Sequence, residues 1–293
     1  MKFGSTLMGV RMSGYAEAAR SLEDAGFESV WVPEHLALPP EAPTTYPYAR
    51  DGRPPVPSGT PCYDPFVLLS FVACATTTVR LCTNVYLLPL HHPLRTARGA
   101  VTLDRLSRGR VTLGIGVGWL EDEFVWAGED FATRGARTDE IIPMLRQLWS
   151  EPIVEVATAH YRFGPVAFQP KPTTPQGIPI EVGGTSSAAL RRAAKLADGW
   201  IDIDSQSFDD LAAKVAKVDA LRADAGRNGP FEITVGGEFS ISPDAVRRAA
   251  DAGATRVIAS PYTGTPLSGS DVRSWAHRFH DDVIAPFNEL RHR

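Results

Sequence analysis

Three glycines, Gly114, Gly116 and Gly118, alternate at the end of an apolar, β-branched segment that begins at Val111. Alternate residues of a strand point to the same face, so the three glycines share one side. Glycine weakens a strand interior, and its presence there often marks a close approach by another backbone or a ligand. We therefore predict a strand end with a flat wall, free of side chains, against which a planar cofactor binds.

A glutamate and a histidine, Glu34 and His35, follow another short β-branched segment, Ser29–Val32. An imidazole donates or accepts a proton near neutral pH, which is what acid–base chemistry beside a reacting group requires. A histidine after a strand is also often a structural residue whose hydrogen bonds are satisfied. Both interpretations stay open at this point.

Two further glycines, Gly183 and Gly184, are followed by Thr185 and Ser186 directly before a predicted helix. The free amide groups and the positive dipole end of a helix start bind anions readily. A tight turn that requires glycine explains the same residues. An anion site is therefore one of two alternatives here.

Predicted strands and helices alternate from one end of the chain to the other. The strands are Lys2–Thr6, Ser29–Val32, Val79–Tyr86, Arg110–Gly116, Ile178–Val182, Gly199–Ile203, Phe231–Val235 and Arg256–Ser260. The helices are Gly14–Ala25, Pro65–Ala75, Pro93–Leu106, Asp139–Trp149, Ser186–Ala197, Phe208–Ala225, Pro243–Ala252 and Val272–Leu290. Eight such units favour a single α/β domain over residues 1–293, a (β/α)8 TIM barrel rather than an open doubly wound sheet. Because the carboxyl ends of barrel strands build the active site, we expect the residues above to meet there.

Two segments are longer than a minimal barrel needs. Leu36–Asp64, the loop after the second strand, contains eight prolines, and structureless loops of this length are usually functional. We expect it to cover the active site and to select the substrate. The insertion Pro152–Gly177, before the fifth strand, is expected to form an extra hairpin.

The composition argues against several classes of partner. The 293 residues, 43% of them hydrophobic, suit one large barrel. The net charge of −4 is spread along the chain, and no stripe of lysine and arginine indicates nucleic-acid binding. No apolar run approaches the roughly 20 residues that cross a bilayer, and the first residues lack a signal-peptide core. We expect a cytoplasmic protein with no nucleic-acid or membrane partner.

The cysteines and histidines do not indicate a metal site. Cys62, Cys74 and Cys82 are odd in number and show no CxxC spacing, so we expect free thiols. Cys74 and Cys82 lie in apolar runs, where free cysteine is commonly buried. His91 and His92 are adjacent, so on a strand they point to opposite faces, and no third ligand lies near them in sequence. We expect no bound metal.

One pattern is excluded as a dinucleotide-binding motif, and a group of charged residues is interpreted as structural. The alternating glycines read GxGxG rather than the GxGxxG of dinucleotide-binding folds, and no helix is predicted to start directly after them. The charged residues that follow are expected to form ion pairs and a helix start: Arg134, Arg137, Asp139 and Glu140.

Over nearly its whole length, the chain resembles the bacterial luciferase-like flavin and deazaflavin oxidoreductases. The resemblance lies in four stretches that occur in order on the expected barrel units: VWVPEH, TNVYLLPLHHP, GRVTLGIGVGWLEDEF with the later RG and DE, and PIEVGGTSSAALRRAAKLADGW. The pattern is most similar to the subgroup that uses coenzyme F420, an 8-hydroxy-5-deazaflavin.

The resemblance implies hydride transfer between C5 of the deazaflavin and a small organic substrate. It implies that His35 acts as an acid–base or ring-polarising group and that Glu34, where the family more often has Asp, assists it. It implies a non-proline cis peptide between Asn84 and Val85, whose bulge lies behind the ring. The residues that it implies for cofactor binding are Asn84, Val85, Gly116, Gly183, Gly184 and Thr185.

Departures from the family pattern sharpen the expectation. Trp119 stands where the family's sugar-phosphate dehydrogenases have Glu, which argues against a sugar phosphate as substrate. Asp202 and Asp204 stand where some relatives have phosphate-binding residues, so the path of the cofactor tail stays open. Trp31 and Trp119 are expected either to wall the pocket or to lie in the core.

Three other functions stay open. A monooxygenase that uses reduced FMN and oxygen on the same fold is the nearest alternative. A barrel that binds a flavin without catalysis is the second. A glycosidase would need two carboxylates about 5–10 Å apart, for which only Glu34 with Asp202 or Asp204 qualify. A homodimer also stays open, because no dimer patch stands out in the sequence.

Overall fold

Eight parallel strands close into a barrel within residues 1–41, 46 and 59–290, the part of the chain that the computed structural model describes. The barrel strands are β1 (Lys2–Thr6), β2 (Ser29–Val32), β3 (Arg80–Thr83), β5 (Val111–Gly116), β8 (Ile180–Gly183), β9 (Gly199–Ile201), β10 (Glu232–Val235) and β11 (Arg256–Ala259), and a two-residue strand, β4 (Tyr86–Leu87), pairs beside β5. Pairing of β1 with β11 and of β3 with β5 closes the ring. The predicted (β/α)8 TIM barrel is thereby confirmed.

The helices surround this barrel and mostly begin and end near the predicted residues. They are α1 (Tyr15–Asp24), α2 (Pro65–Ala75), α3 (Pro93–Leu106), α4 (Glu121–Ala127), α5 (Arg134–Ser150), α6 (Ser187–Leu196), α7 (Phe208–Asp224), α8 (Pro243–Asp251), α9 (Gly269–Phe279) and α10 (Ala285–Leu290). Side-chain caps explain several starts: Asp64 accepts from the amide of Val67, and Ser186 accepts from that of Ala189. Such caps satisfy amide groups that have no partner within the helix.

Three local predictions were wrong. The predicted third strand, Val79–Tyr86, is interrupted after Thr83 and resumes as β4. The helix predicted to start at Asp139 begins five residues earlier, at Arg134, because Arg137 is buried and hydrogen-bonded within its first turns. A short helix, α4, does follow the alternating glycines, and its Phe124 is completely buried.

The two long segments have different outcomes. The insertion before the fifth barrel strand contains β6 (Val154–Ala157) and β7 (Arg162–Val166), which pair antiparallel, so the predicted hairpin is confirmed. Most of the loop predicted to cover the site, residues 42–45 and 47–58, lies outside the described residues.

One of the two cysteine burial predictions is confirmed and the other is wrong. Cys82 is buried as predicted, but Cys74 is exposed because it lies on the outer face of α2, where Phe71 is exposed as well.

In the described ranges, no helix combines the length and the apolar character that crossing a bilayer requires.

Glu23 links α1 to the entry of β3 and gives the fold an acid-sensitive contact. Its carboxylate accepts from the amides of Thr77, Thr78 and Val79 at 2.5–3.1 Å. Burial would raise the pKa of Glu23, but these hydrogen bonds outweigh it and lower the pKa from 4.5 to about 2. Because the folded-state pKa is depressed, the contribution is complete above about pH 4.5 and is lost as the pH falls towards about 2.

We expect Glu23→Gln to lower the free energy of unfolding near neutral pH by about 1 kcal/mol, since charged hydrogen bonds are weakened by partial exposure. Urea unfolding of both proteins between about pH 7 and about pH 3 measures this. The gap between variant and native protein should shrink on acidification. A gap that stays constant with pH would contradict the assignment.

Candidate active site

A cavity of about 1300 Å³ opens at the carboxyl ends of the barrel strands. Its floor contains apolar side chains from three separate parts of the barrel: Val85 after β3, Ile201 at the end of β9 and Ile258 in β11. The residues predicted from sequence that line it are Glu34, His35, Asn84, Val85, Gly116, Gly183 and Gly184. The structure thus brings together at one rim residues that are up to 150 positions apart in the chain.

His35 is held at the cavity by a residue that the sequence analysis did not select. Its Nδ1 lies 3.0 Å from Oε2 of Glu123, the third residue of α4. Oε1 of Glu123 accepts from the amides of Leu36 at 2.6 Å and Ala37 at 3.4 Å. The ring of His35 lies edge-on to Trp119, with centroids 6.2 Å apart. Three hydrogen bonds to one buried carboxylate thus fix the ring and the start of the loop after β2.

The carboxylate of Glu34 makes its hydrogen bonds to Leu87 and His91 rather than to His35. Adjacent residues in extended backbone point in different directions, and Glu34 turns towards β4. Its carboxylate accepts from the amide of Leu87 at 2.6 Å and lies 2.9 Å from Nε2 of His91. His91 in turn stacks on Tyr86, at 4.5 Å between centroids. Glu34 therefore stabilises the segment after the Asn84–Val85 bulge.

The peptide bond between Asn84 and Val85 is cis, as predicted. The side chain of Val85 lies between two glycines: a Cβ on Gly116 would come within 2.5 Å of its Cγ2, and a Cβ on Gly183 within 2.8 Å of its Cγ1. The bulge is therefore seated in a socket of two strand ends, here called the Val85 socket and formed by Gly116 and Gly183.

The flat wall predicted from the alternating glycines is wrong, because protein atoms occupy the space that these glycines leave. A Cβ on Gly114 would meet the carbonyl oxygen of Thr83, and a Cβ on Gly118 would meet the ring of Phe124. Gly116 lines the cavity but faces Val85. The space beside these glycines is thus taken by a backbone carbonyl at Gly114 and by side chains at Gly116 and Gly118, rather than by a ligand.

Two arginines lie on the side of the cavity where α6 begins, Arg192, which is buried, and Arg134, which is partly buried. Arg192 contacts Asp139 at 2.5 Å and donates to the carbonyl of Gly135 at 3.0 Å. Arg134 donates to the carbonyl of Gly118 at 3.2 Å. Arg134 and Arg192 line the cavity together with Gly184 and Ser186, whereas Thr185 does not. This corner is electropositive and suits an anionic group.

The acidic pair that follows β9, the strand next to β8, is partly compensated. Asp204 lies 3.0 Å from Nζ of Lys214. Asp202 accepts from the hydroxyl of Ser205 at 2.9 Å, and burial raises the pKa of its carboxyl despite that bond. Lys214 and Ser205 thus offset part of the negative charge that these two carboxylates present to a cofactor tail.

Aromatic rings line the outer part of the cavity. Tyr46 lies edge-on to Trp119 at 5.0 Å between centroids, and Tyr15 lies edge-on to Tyr63 at 6.0 Å. Of the two tryptophans considered from sequence, Trp119 thus walls the pocket, whereas Trp31 is completely buried and donates to Ser29.

His91 and His92 have structural partners. His91 contacts Glu34, and His92 accepts from the amide of Leu94 at the start of α3. In the ranges that the structure describes, no three histidine, cysteine or carboxylate side chains come together as a metal site would require.

Glu123, Arg134 and Arg192 belong to the site but are not predicted from the sequence as site residues. Arg134 was interpreted as part of a helix start, and Arg192 lies within a helix whose other charges face outward. One local signal points to Glu123: it is an acidic residue directly before Phe124, in the segment that follows a strand end. A buried carboxylate needs partners, and those partners are 86–88 residues away.

The family and the fold of this chain are those of known proteins. The chain belongs to the luciferase-like monooxygenase family, whose model matches residues 4–282. A Mycobacterium tuberculosis protein of unassigned function is 37% identical over 255 residues, 86% of this chain and 87% of that protein. A second M. tuberculosis protein, named as a candidate coenzyme F420-dependent oxidoreductase, is 32% identical over 201 residues, 64% of this chain and 50% of that protein.

A solved structure supports the fold. The crystal structure of a monooxygenase from Streptomyces bottropensis superposes with a TM-score of 0.77 at 22% identity, over 98% of this chain and all of that chain. The family expected from the four sequence stretches is confirmed. The chain is thus placed among oxidoreductases and monooxygenases of the luciferase-like type.

Proposed function

We propose that this chain transfers a hydride between C5 of the deazaflavin coenzyme F420 and a small organic substrate. The observation that carries the proposal is the pairing, in one cavity, of an oriented imidazole, His35, with a backbone bulge that is seated in the Val85 socket. The candidate F420-dependent oxidoreductase among the relatives supports the choice of cofactor.

The cavity fits a tricyclic ring together with a second molecule. Sites for one drug-sized ligand are typically about 300–1,000 Å³, and this cavity is about 1300 Å³. Its floor is apolar at Val85, Ile201 and Ile258, which suits a flat ring, and its electropositive corner at Arg134 and Arg192 suits an anionic tail. The residues proposed to hold the cofactor are the cavity-lining Asn84, Val85, Gly116, Gly183 and Gly184; Thr185, which is also expected from the sequence, does not line the cavity and is not among them.

The protein itself orients the cofactor and substrate and accepts or donates a proton. A bound deazaflavin supplies the hydride chemistry, as cofactors generally supply the difficult step. His35 holds or releases a proton at the nitrogen that faces the cavity. Glu34 assists by fixing Leu87 and His91 and hence the segment that follows Val85. The aromatic outer wall excludes water and favours a substrate with apolar surface.

A monooxygenase that uses reduced FMN is the second candidate, favoured by the family's description as luciferase-like monooxygenases. The two differ in their use of oxygen, because reduced FMN consumes oxygen and a deazaflavin hydride donor does not readily do so. Oxygen uptake by the protein with reduced FMN, measured with an electrode, separates them. A barrel that only carries a flavin would show tight binding and no turnover.

Fluorescence titration of the purified protein with F420 and with FMN tests the proposal most directly. We expect F420 to bind more tightly by about tenfold or more, equivalent to 1.4 kcal/mol. A preference for FMN would overturn the choice of cofactor. Binding of neither would overturn the proposed function.

We expect Gly116→Ala to weaken F420 binding by about tenfold, because the new Cβ would lie 2.5 Å from Val85 and displace the bulge. In the matched double variant, Gly116→Ala with Val85→Ala, the methyl groups of Val85 that would clash with the new Cβ are gone. This variant should recover most of the lost affinity for F420. A double-mutant cycle of dissociation constants measures the coupling. Additive losses would contradict the Val85 socket.

A further inference from the structure

We propose that Glu123 sets the tautomer of His35 and thereby decides that the cavity-facing nitrogen of the neutral ring is a proton acceptor. This inference rests on the proposed function only for its catalytic consequence. Glu123 is almost completely buried and does not line the cavity. It is therefore a positioning residue, which acts through His35.

The hydrogen-bond chemistry carries the assignment. An ionised carboxylate only accepts hydrogen bonds, and the neutral imidazole has one donor and one acceptor nitrogen. Oε2 of Glu123 lies 3.0 Å from Nδ1 of His35, so Nδ1 must carry the proton. Nε2 is then left with its lone pair. Among the described residues, Nε2 of His35 has no hydrogen-bond partner, so it is available to a molecule in the cavity.

The other oxygen of Glu123 strengthens the argument. It accepts from the amides of Leu36 and Ala37, which have only a donor to offer. Oε1 of Glu123 must therefore remain a hydrogen-bond acceptor, which fixes the orientation of the carboxyl group beside His35. Glu34 is not an alternative orienter, because both of its oxygens are engaged by Leu87 and His91.

A charged partner also favours the ring after it accepts a proton. When Nε2 takes a proton, the resulting imidazolium lies against the carboxylate of Glu123, and charge-assisted hydrogen bonds are about twice as strong as neutral ones. Glu123 thus fixes both the direction of the first proton transfer and the stability of its product.

The first test is the tautomer itself in the full-length chain. With 15N-labelled histidine, the His35 signals are assigned by their loss in His35→Asn and recorded at about pH 9, where an imidazole is ordinarily neutral. We expect the tautomer protonated at Nδ1. Finding the proton at Nε2 would overturn the proposal, and this readout needs neither cofactor nor substrate.

The second test is Glu123→Gln, which keeps shape but offers an amide. Its oxygen can still accept from Leu36, so its NH₂ group faces Nδ1 and the ring proton should move to Nε2. We expect that tautomer shift together with a loss in kcat of about 10²-fold, as for other residues that orient a reacting imidazole, and little change in F420 affinity. An unchanged tautomer would overturn the proposal.

Two controls separate positioning from folding. Glu123→Asp keeps an acceptor-only carboxylate and should restore the Nδ1 tautomer and part of kcat. Glu121→Gln changes an exposed residue in the same turn of α4 and should alter neither. Should the native protein bind no deazaflavin, the proposed function would fail, while the tautomer measurement would still decide the role of Glu123.

Discussion

Replacing His35 with alanine is expected to lower kcat by about 10²–10⁴-fold, the usual contribution of a positioned acid or base. The dissociation constant of F420 should stay nearly unchanged. The reason is geometric: His35 contacts Glu123 and Trp119 at one edge of the cavity, whereas the proposed ring support is the backbone at Asn84 and Val85. Removing the imidazole therefore removes a proton site and leaves the support in place.

Single-turnover kinetics and a fluorescence titration on the same preparation measure the two quantities. His277→Ala is the matched control, because His277 is exposed on α9 and does not line the cavity, so it should leave both quantities as they are. Equal losses in kcat and in F420 affinity for His35→Ala would instead make His35 a binding residue.

Much of this site follows from patterns that act within a few residues. The position of His35 could be predicted because barrel topology places the residue after each strand at the same rim. The hairpin of the insertion followed from its length and its place between a helix and a strand. The cis bond at Asn84 came from the resemblance to the family rather than from the residues alone.

The features that could not be predicted depend on how residues far apart in the sequence pack against each other. The alternating glycines indicate that other atoms come close to this strand. The sequence does not show whether those atoms belong to a ligand or to the carbonyl of Thr83. Cys74 lies in an apolar run, yet only the packing of α2 decides that it faces outward. Glu123 reaches His35 across 88 residues, and no local pattern encodes such a contact.

A second large effect is expected far from the cavity, at Arg256, the first residue of β11. Its guanidinium group is buried, lies 2.7 Å from Glu181, also contacts Glu28 and Thr234, and stacks over Trp31. Arg256→Met should lower the free energy of unfolding by about 3–5 kcal/mol, because it leaves the carboxylate of Glu181 buried without its partner. Denaturant unfolding measures the loss.

The matched variant removes both charges. Arg256→Met with Glu181→Gln should lose well under half as much as the single variant, since pairs replaced together are often tolerated. Equal losses would mean that packing of the Arg256 stem, not charge, is what matters.

The pH dependence gives the sign of the charge effect. Burial raises the pKa of Glu181 even though Arg256 and Thr234 oppose that rise. Without Arg256 the folded state therefore holds a proton that the unfolded chain has released above about pH 4.5. Folded protein then binds more protons than unfolded, so the deficit of Arg256→Met should grow between about pH 5 and about pH 8. The double variant has no carboxyl at position 181 to titrate, so its stability deficit should not grow with pH. The pH dependence of the deficit, rather than its size, therefore identifies an unpaired buried carboxylate.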